Sequence, residues 1–256
     1  MQVKTSNLTY TKISCQHVAE SQPQNVGAVL LAAGTSSRMC GKDKLFENLC
    51  GVPVIVRSLI AFENSSAVKQ IVLVGNKNNI PRLQQLVQSY ELTKVSDIVA
   101  GGKSRAQSAK NGCERLFKTP QIKTVLIHDG GRPLVSDSLI KRVIDAAETY
   151  SAAIPAVPLK DTVKETGAIG RVISTPERKN LVAVQTPQGF SVECYKKALS
   201  AADDLSGFTD DSSIVEASAQ QVYTVLGDNK NIKITTPEDL VVAEALFRLV
   251  RGEAGI

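Results

Sequence analysis

The chain has 256 residues, of which 43% are hydrophobic and 21% charged; this excludes a disordered chain and allows a large core without covalent staples. A net charge of +5, from 30 Lys and Arg against 25 Asp and Glu, is too mild for a nucleic-acid surface, the more so with aromatics at 4%. Five scattered cysteines without a CxxC pair, and only two histidines, exclude a disulfide scaffold and a Cys- or His-rich metal site, and point to a reducing compartment.

Residues 1–25 are polar, with Lys4 and Lys12 their only cations. They lack the apolar run of a signal peptide and the arginines of a transit peptide, and read as a flexible N-terminal extension that allows a short strand around Leu8–Ile13. No apolar run approaches the roughly 18 residues of a membrane span. From Val26 the pattern is regular. The apolar runs Val26–Ala33, Ile71–Val74, Ile98–Ala100 and Val125–Ile127 alternate with helical patterns at Pro53–Glu63, Pro81–Ser89, Ser104–Phe117 and Ser136–Tyr150. Short apolar strands between amphipathic helices predict an α/β fold: a mostly parallel sheet with helices on both faces. In the third helix Ala106, Ala109, Cys113 and Leu116 form one apolar stripe, and Arg105 and Ser108 lie off it near the N-terminus.

The second half is less regular. Ala152–Leu159 reads as a strand, and the polar, glycine-containing stretch 160–180 as an arm projecting from the sheet. Strands are expected at Val222–Leu226 and Ile232–Thr235. A last helix starts at Thr236-Pro237-Glu238-Asp239 with a capping hydroxyl, a proline and first-turn acids, and turns Leu240, Ala243, Phe247 and Val250 to the core. Residues 26–256 therefore read as a single domain with an excursion at about 160–180.

In an open α/β sheet ligands gather at the carboxyl ends of the strands. The first such end runs Leu30-Leu31-Ala32-Ala33-Gly34-Thr35-Ser36-Ser37-Arg38, followed by Gly41-Lys42-Asp43-Lys44. Small residues admit a phosphate to the backbone, and three cations follow. It is neither of the two common phosphate loops. GxGxxG is absent, and Gly34 and Gly41 are seven apart with Lys42 before Asp43, which breaks GxxxxGK[ST]. At the second end, Gly101-Gly102 before Arg105 and Ser108 is expected to offer free N–H donors at a helix start. At the third, His128-Asp129-Gly130-Gly131-Arg132 puts a carboxylate where it can hold Mg²⁺, with His128 read as a structural donor and Arg132 as a phosphate ligand or a lock on Asp129. Weaker signals lie at Asp161-Thr162-Val163-Lys164, Arg178, Thr186-Pro187-Gln188, Thr209-Asp210-Asp211-Ser212 and Asn231-Ile232-Lys233.

Taken in order, LLAAGTSSRM with Lys44, AGGKSRAQS, HDGGRP, DTVK, TPQGF, TDD and NIKITTPEDL resemble the 2-C-methyl-D-erythritol 4-phosphate cytidylyltransferase family of the non-mevalonate isoprenoid pathway, from about Val26 to Arg251. The resemblance implies a Rossmann-like nucleotidyltransferase domain whose arm embraces a second subunit in a homodimer, and a cytoplasmic enzyme that joins CTP to methylerythritol phosphate with Mg²⁺. It implies backbone contacts to the nucleotide from Ala32, Ala33 and Gly34. Gly102 would meet the cytosine, and Arg105 and Ser108 would sit by the base, ribose or phosphate. Arg38, Lys44 and Lys233 would carry the phosphate chemistry, and Asp129 would hold the metal. Thr162, Arg178 and Lys233 would bind the sugar phosphate. The chain departs from the family at Gly130-Gly131, where two alanines are usual; this is expected to loosen the turn. It departs again at Lys103, where some members have an acid. Ribitol 5-phosphate cytidylyltransferase shares the scaffold, and a non-catalytic nucleotide-binding protein is the reading from another class. No nucleic acid or membrane partner is expected.

Overall fold

The computed structural model describes residues 25–34 and 43–251, without the side chains of 250 and 251. The possible strand at Leu8–Ile13, and Arg38 and Lys42, lie outside the described residues. In chain order the elements are β1 (Val26–Ala32), a 3₁₀ turn (Lys44–Phe46), the hairpin β2 (Asn48–Leu49) and β3 (Val52–Pro53), α1 (Val54–Glu63), β4 (Val68–Gly75), α2 (Ile80–Ser89), β5 (Val95–Ala100), α3 (Arg105–Leu116), β6 (Thr124–Asp129), α4 (Asp137–Tyr150) and β7 (Ala152–Pro158). There follow β8 (Glu165–Thr166), β9 (Val172–Ser174), β10 (Val182–Val184), β11 (Gln188–Ser191), α5 (Val192–Ala201), α6 (Asp211–Ala217), β12 (Tyr223–Leu226) and α7 (Pro237–Arg251).

The eight-stranded sheet runs β10-β7-β11-β6-β1-β4-β5, with β12 also on β7. The ladders β1–β4, β1–β6, β4–β5 and β7–β12 are parallel, and β11 and β10 run against their neighbours. Central strands are apolar on both faces because both are covered. Ala28 and Leu30 join α1 and α4 through Ile55, Leu59, Leu139 and Ile140. Val29 faces the other layer, where Ala106, Ala109, Cys113 and Leu116 of α3 are all buried. The expected α3 stripe is therefore its core face. Side-chain caps set several helix starts: Ser104 accepts from the Gln107 N–H, Ser136 from Leu139 and Ser191 from Cys194.

Two parts of the second half differ from the expectation. Residues 232–235 form no strand. Ile234 buries its side chain with Leu49 and Val54, and its N–H bonds the Gly131 carbonyl, so the Ile-x-Ile alternation serves a docked loop rather than a ladder. In addition, α5 and α6 stand where no helix is expected. Residues 160–180 leave the sheet after β7, return at β10 and carry their own antiparallel pair, β8–β9. Ile169, Val172 and Ile173 on this stretch are exposed.

The path of the chain places the site. From β1 it moves outward through β4 and β5, then crosses back to β6 on the other side of β1. The carboxyl ends of β1 and β6 therefore flank the crevice where the strand order reverses.

Candidate active site

Leu31 and Asp129 pair at the ends of β1 and β6, and the turn after Asp129 is pinned there. The Gly130 N–H donates to the Leu31 carbonyl at 2.9 Å, and its own carbonyl accepts from Ser58 Oγ at 2.8 Å. A Cβ at position 130 would lie 2.8 Å from the Leu31 oxygen and 2.5 Å from Ile55 Cδ1. The glycine pair thus closes the turn onto the sheet instead of loosening it. At position 131 a Cβ would be 3.7 Å from Lys44 Nζ, which puts the lysine over this turn.

On the second wall, Gly101 packs so closely that a Cβ would sit 2.6 Å from that of Ala33. Its N–H is committed to the Gly75 carbonyl at 2.8 Å, and the Gly102 N–H to Ser108 Oγ at 3.1 Å. The two glycine N–H groups are thus spent inside the loop, contrary to the expectation of free donors. The Ser108 hydroxyl also donates to the Ser104 carbonyl at 2.9 Å, so this serine shapes the loop from beneath.

The charged centre joins residues far apart in sequence. Asp129 Oδ1 accepts from Arg105 Nε at 3.1 Å, and Oδ2 from Lys233 Nζ at 2.7 Å. Arg105 Nη1 reaches Asp211 at 2.7 Å, and the other oxygen of Asp211 accepts from the Tyr195 hydroxyl at 2.7 Å. Burial works against charge on Asp129, but Arg105 and Lys233 outweigh it and hold the carboxyl well below its usual range. Burial likewise opposes the charge on Arg105, and Asp211 and Asp129 reverse the sign and push its pKa up. His128 is fully buried. Its Nδ1 lies 3.1 Å from Thr186 Oγ1, and Nε2 lies 3.2 Å from the Arg132 carbonyl. The Arg132 carbonyl can only accept, so the imidazole proton sits on Nε2 and Nδ1 accepts from the Thr186 hydroxyl, whose oxygen in turn accepts the Asp129 N–H. Desolvation lowers the His128 pKa to about 4. The ring is the neutral structural donor expected. The Arg132 backbone N–H donates to the Asp129 carbonyl at 3.0 Å and closes the turn, while its guanidinium turns away from the carboxylate and donates through Nη1 to the Asn231 carbonyl at 2.8 Å.

Two cavities open from this centre. One of 390 Å³ is lined by Ala33, Gly34, Lys44, Gly102, Lys103, Ser104, Arg105, Ser108, Asp129, Gly130, Gly131 and Lys233 among others. The second, of 480 Å³, is bordered by Arg132, Thr186, Gln188, Thr209 and Asp210. Arg105, Asp129 and Lys233 line both.

Most of the expected residues therefore meet. Ala33, Gly34, Lys44, Gly102, Arg105, Ser108, Asp129 and Lys233 border one space. Ala32 is buried just beneath, its carbonyl accepting from Asn79 Nδ2 at 2.9 Å. Thr162 and Arg178 do not line these cavities; both are exposed on the arm, where Arg178 donates to the Lys160 carbonyl. Ser58, Asp211 and Tyr195 join the site without a role expected for them. Asp211 stands in a recognisable acidic pair, whereas Ser58 and Tyr195 look like ordinary helix residues in the sequence.

Among the described residues no three His, Cys, Asp or Glu side chains cluster as a metal cage. Asp129 is a single carboxylate beside three cations, Lys44, Arg105 and Lys233. That donor set suits Mg²⁺ only if most of its ligands come with a polyphosphate and water, its common habit in nucleotide sites. The residues fit an ion that arrives with its nucleotide.

A crevice at the switch point of a mostly parallel sheet, floored by tight glycine turns and lined by cations around one carboxylate, defines an α/β protein built to take up a nucleotide-sized polyanion. The model of the 2-C-methyl-D-erythritol 4-phosphate cytidylyltransferase family matches residues 26–249. Similar proteins include the 2-C-methyl-D-erythritol 4-phosphate cytidylyltransferase of Bacillus thuringiensis (strain Al Hakam), 44% identical over 223 residues that cover 86% of this chain and 97% of that one. That of Dehalococcoides mccartyi (strain CBDB1) is 42% identical over 225 residues, covering 88% and 97%. Among solved structures, the 4-diphosphocytidyl-2C-methyl-D-erythritol synthase of Anaerococcus prevotii superposes with a TM-score of 0.73 at 30% identity, over 89% of this chain and all of that one. The cytidylyltransferase of Thermus thermophilus gives 0.68 at 31% identity, over 86% and 98%. The chain belongs to the 2-C-methyl-D-erythritol 4-phosphate cytidylyltransferase family.

Proposed function

We infer that this chain is a nucleotidyltransferase that joins CTP to 2-C-methyl-D-erythritol 4-phosphate, giving 4-diphosphocytidyl-2-C-methyl-D-erythritol and pyrophosphate. The observation that carries the reading is the shared wall: Arg105, Asp129 and Lys233 border two cavities at once, as a reaction between two phosphates requires. CTP occupies the cavity of Gly34, Lys44, Gly102 and Arg105, and the sugar phosphate the cavity of Arg132, Thr186 and Thr209. The acceptor phosphate attacks the α-phosphorus in line, and the bond to the β-phosphate oxygen breaks as pyrophosphate leaves.

An anionic phosphate is already a nucleophile, so no base is needed. The obstacle is charge. Two unit charges 4 Å apart repel by about 4 kcal/mol at an effective dielectric of 20, and the reactants carry several. Lys44 and Arg38 hold the triphosphate, Lys233 lies where the two substrates meet, and the backbone of Ala32, Ala33 and Gly34 with the Gly102 loop seats the nucleoside. Ser108 keeps that loop closed. Fixing both reactants on one rigid sheet end supplies much of the acceleration, since held reactants no longer lose the freedom of a bimolecular encounter. Asp129 is the group that would hold Mg²⁺, which when bound neutralises phosphate charge and polarises the α-phosphoryl group.

The arm at about 160–180 reaches a second copy in a homodimer, and Thr162 and Arg178 contact the sugar phosphate in the partner's site. Exposed Ile169, Val172 and Ile173 support this, because apolar side chains on a projecting segment gain most by being covered. A cytoplasmic setting accords with free Cys50, Cys113 and Cys194. The test is pyrophosphate release from CTP and Mg²⁺ with methylerythritol phosphate or ribitol 5-phosphate. Turnover with the first acceptor is expected. Turnover with ribitol 5-phosphate alone would move the chain to the sister activity, and CTP binding without turnover on either would make it a binding protein.

A further inference from the structure

We propose that Asp211, held by Tyr195, is the positioning residue that sets the Arg105 guanidinium for the reaction; this rests on the functional reading above. Asp211 is fully buried and lines neither cavity, so it touches no substrate. Each of its oxygens has one strong donor, Tyr195 on Oδ1 and Arg105 Nη1 on Oδ2, both at 2.7 Å. Its backbone N–H is fixed in turn by Gln188 Oε1 at 3.0 Å, and Gln188 Nε2 bonds Asp210 at 2.8 Å. Tyr195 is also fully buried and stacks on Phe190 with ring centroids 5.0 Å apart. The carboxylate is therefore anchored to the sheet through β11 and to α5, and has little freedom to follow Arg105.

The consequence falls on how Arg105 spends its fork. An arginine facing a lone carboxylate tends to grip it with two parallel N–H groups. Here only Nε meets Asp129, because Lys233 holds the other Asp129 oxygen and Asp211 holds Nη1. Nη2 is left buried and without a hydrogen-bond partner among the described residues. A buried charged donor without an acceptor is costly in a resting protein. It becomes useful when an anionic oxygen arrives to take it. Asp211 thus keeps Arg105 from closing on Asp129 and keeps one N–H in reserve for substrate. Neither the phenol nor the carboxylate lines a cavity, so both act on the site only through Arg105.

The experiment has a structural arm without substrate and a kinetic arm. In the full-length chain, ¹⁵N–¹H spectra should show separate, slowly exchanging Arg105 Nη signals, and in Asp211→Asn these should merge while the backbone spectrum stays folded. In turnover, Asp211→Asn should lower kcat/KM for CTP by about 10- to 100-fold, the usual effect of losing an outer partner of a functional group. Tyr195→Phe should give a smaller loss, and stands in for Asp211→Asn should that variant fail to fold. Added to Arg105→Ala, either substitution should cost nothing further, because the group it positions is gone. Unchanged Arg105 signals, or the same loss in the Arg105→Ala background, would overturn the proposal and leave Asp211 a fold-stabilising residue. Separate Nη signals that merge in Asp211→Asn, in a wild-type chain without turnover on any polyol phosphate, would instead sink the functional reading alone.

Discussion

Lowering the pH from 7 to 5 should destabilise the protein through a single histidine. The unfolded imidazole titrates at 6.5 and the buried one at about 4, because desolvation of a charged ring outweighs the pull of Asp129 and of the Arg132 carbonyl. Between those values the unfolded chain binds a proton that the folded chain refuses, so stability falls as the pH falls. Integrating the proton uptake gives a loss of about 2 kcal/mol between pH 7 and pH 5, or a drop in Tm of roughly 4–8 °C for a chain of this size. Activity of the folded enzyme should hold over this range and fall only as the pH nears 4, where the folded ring itself takes a proton and Nδ1 can no longer accept from Thr186, whose oxygen holds the Asp129 N–H. The assay is urea unfolding at pH 7 and pH 5 for the wild type and His128→Asn. The variant loses the ring contact with Phe62, centroids 4.9 Å apart, and is less stable throughout. Its loss from pH 7 to pH 5 should nevertheless be smaller by about 2 kcal/mol, since carboxylates such as Asp129 titrate mostly below this window and contribute equally to both chains. An equal loss in both proteins would show that His128 is not the source of the acid sensitivity.

Lys44→Ala should lower kcat by about 10²- to 10³-fold, the scale of one preorganised electrostatic donor, and near-normal turnover in a folded variant would remove Lys44 from the phosphate site. Arg178→Ala should weaken sugar-phosphate binding and leave CTP affinity nearly unchanged; calorimetry giving the reverse would undo the arm assignment. Mn²⁺, followed by water proton relaxation, should bind the chain weakly alone and tightly once CTP is added, because Arg105 and Lys233 already neutralise Asp129. Tight binding without nucleotide would contradict the donor set described above.

How much of this was legible in the sequence depended on the range of the signal. The alternation of short apolar runs and amphipathic helices carried the sheet from Val26 to Ala152, because the central strands β1, β4 and β6 are buried on both faces and the helices between them on one. Residues 192–201 and 211–217 carry short, polar-interrupted patterns, and their helices form because Val192, Tyr195, Ile214 and Val215 have a sheet face to cover. Ile232–Thr235 imitates a strand because two isoleucines alternate, although only one packs into a cluster core. The site residues at strand ends follow from where α/β sheets bind ligands. What escapes is the pairing. Arg105 and Lys233 reach Asp129 across 24 and 104 positions of chain, and Asp211 lies 106 from Arg105; local spacing has no means of recording such links. The glycine turn at 130–131 is misread for a related reason: whether it is loose depends on Leu31 and Ile55, which only the fold brings there.

The central claim is that the acceptor phosphate attacks the α-phosphorus of CTP across the wall formed by Arg105, Asp129 and Lys233. Methylerythritol phosphate labelled with ¹⁸O in its phosphate, turned over with CTP and read by ³¹P NMR, tests it directly. The label should appear in the bridge of the new diphosphate, with the released pyrophosphate unlabelled. Release of CMP or CDP in place of pyrophosphate, with the label bridging the acceptor to a transferred β- or γ-phosphoryl group, would place the attack elsewhere on the triphosphate and overturn the claim.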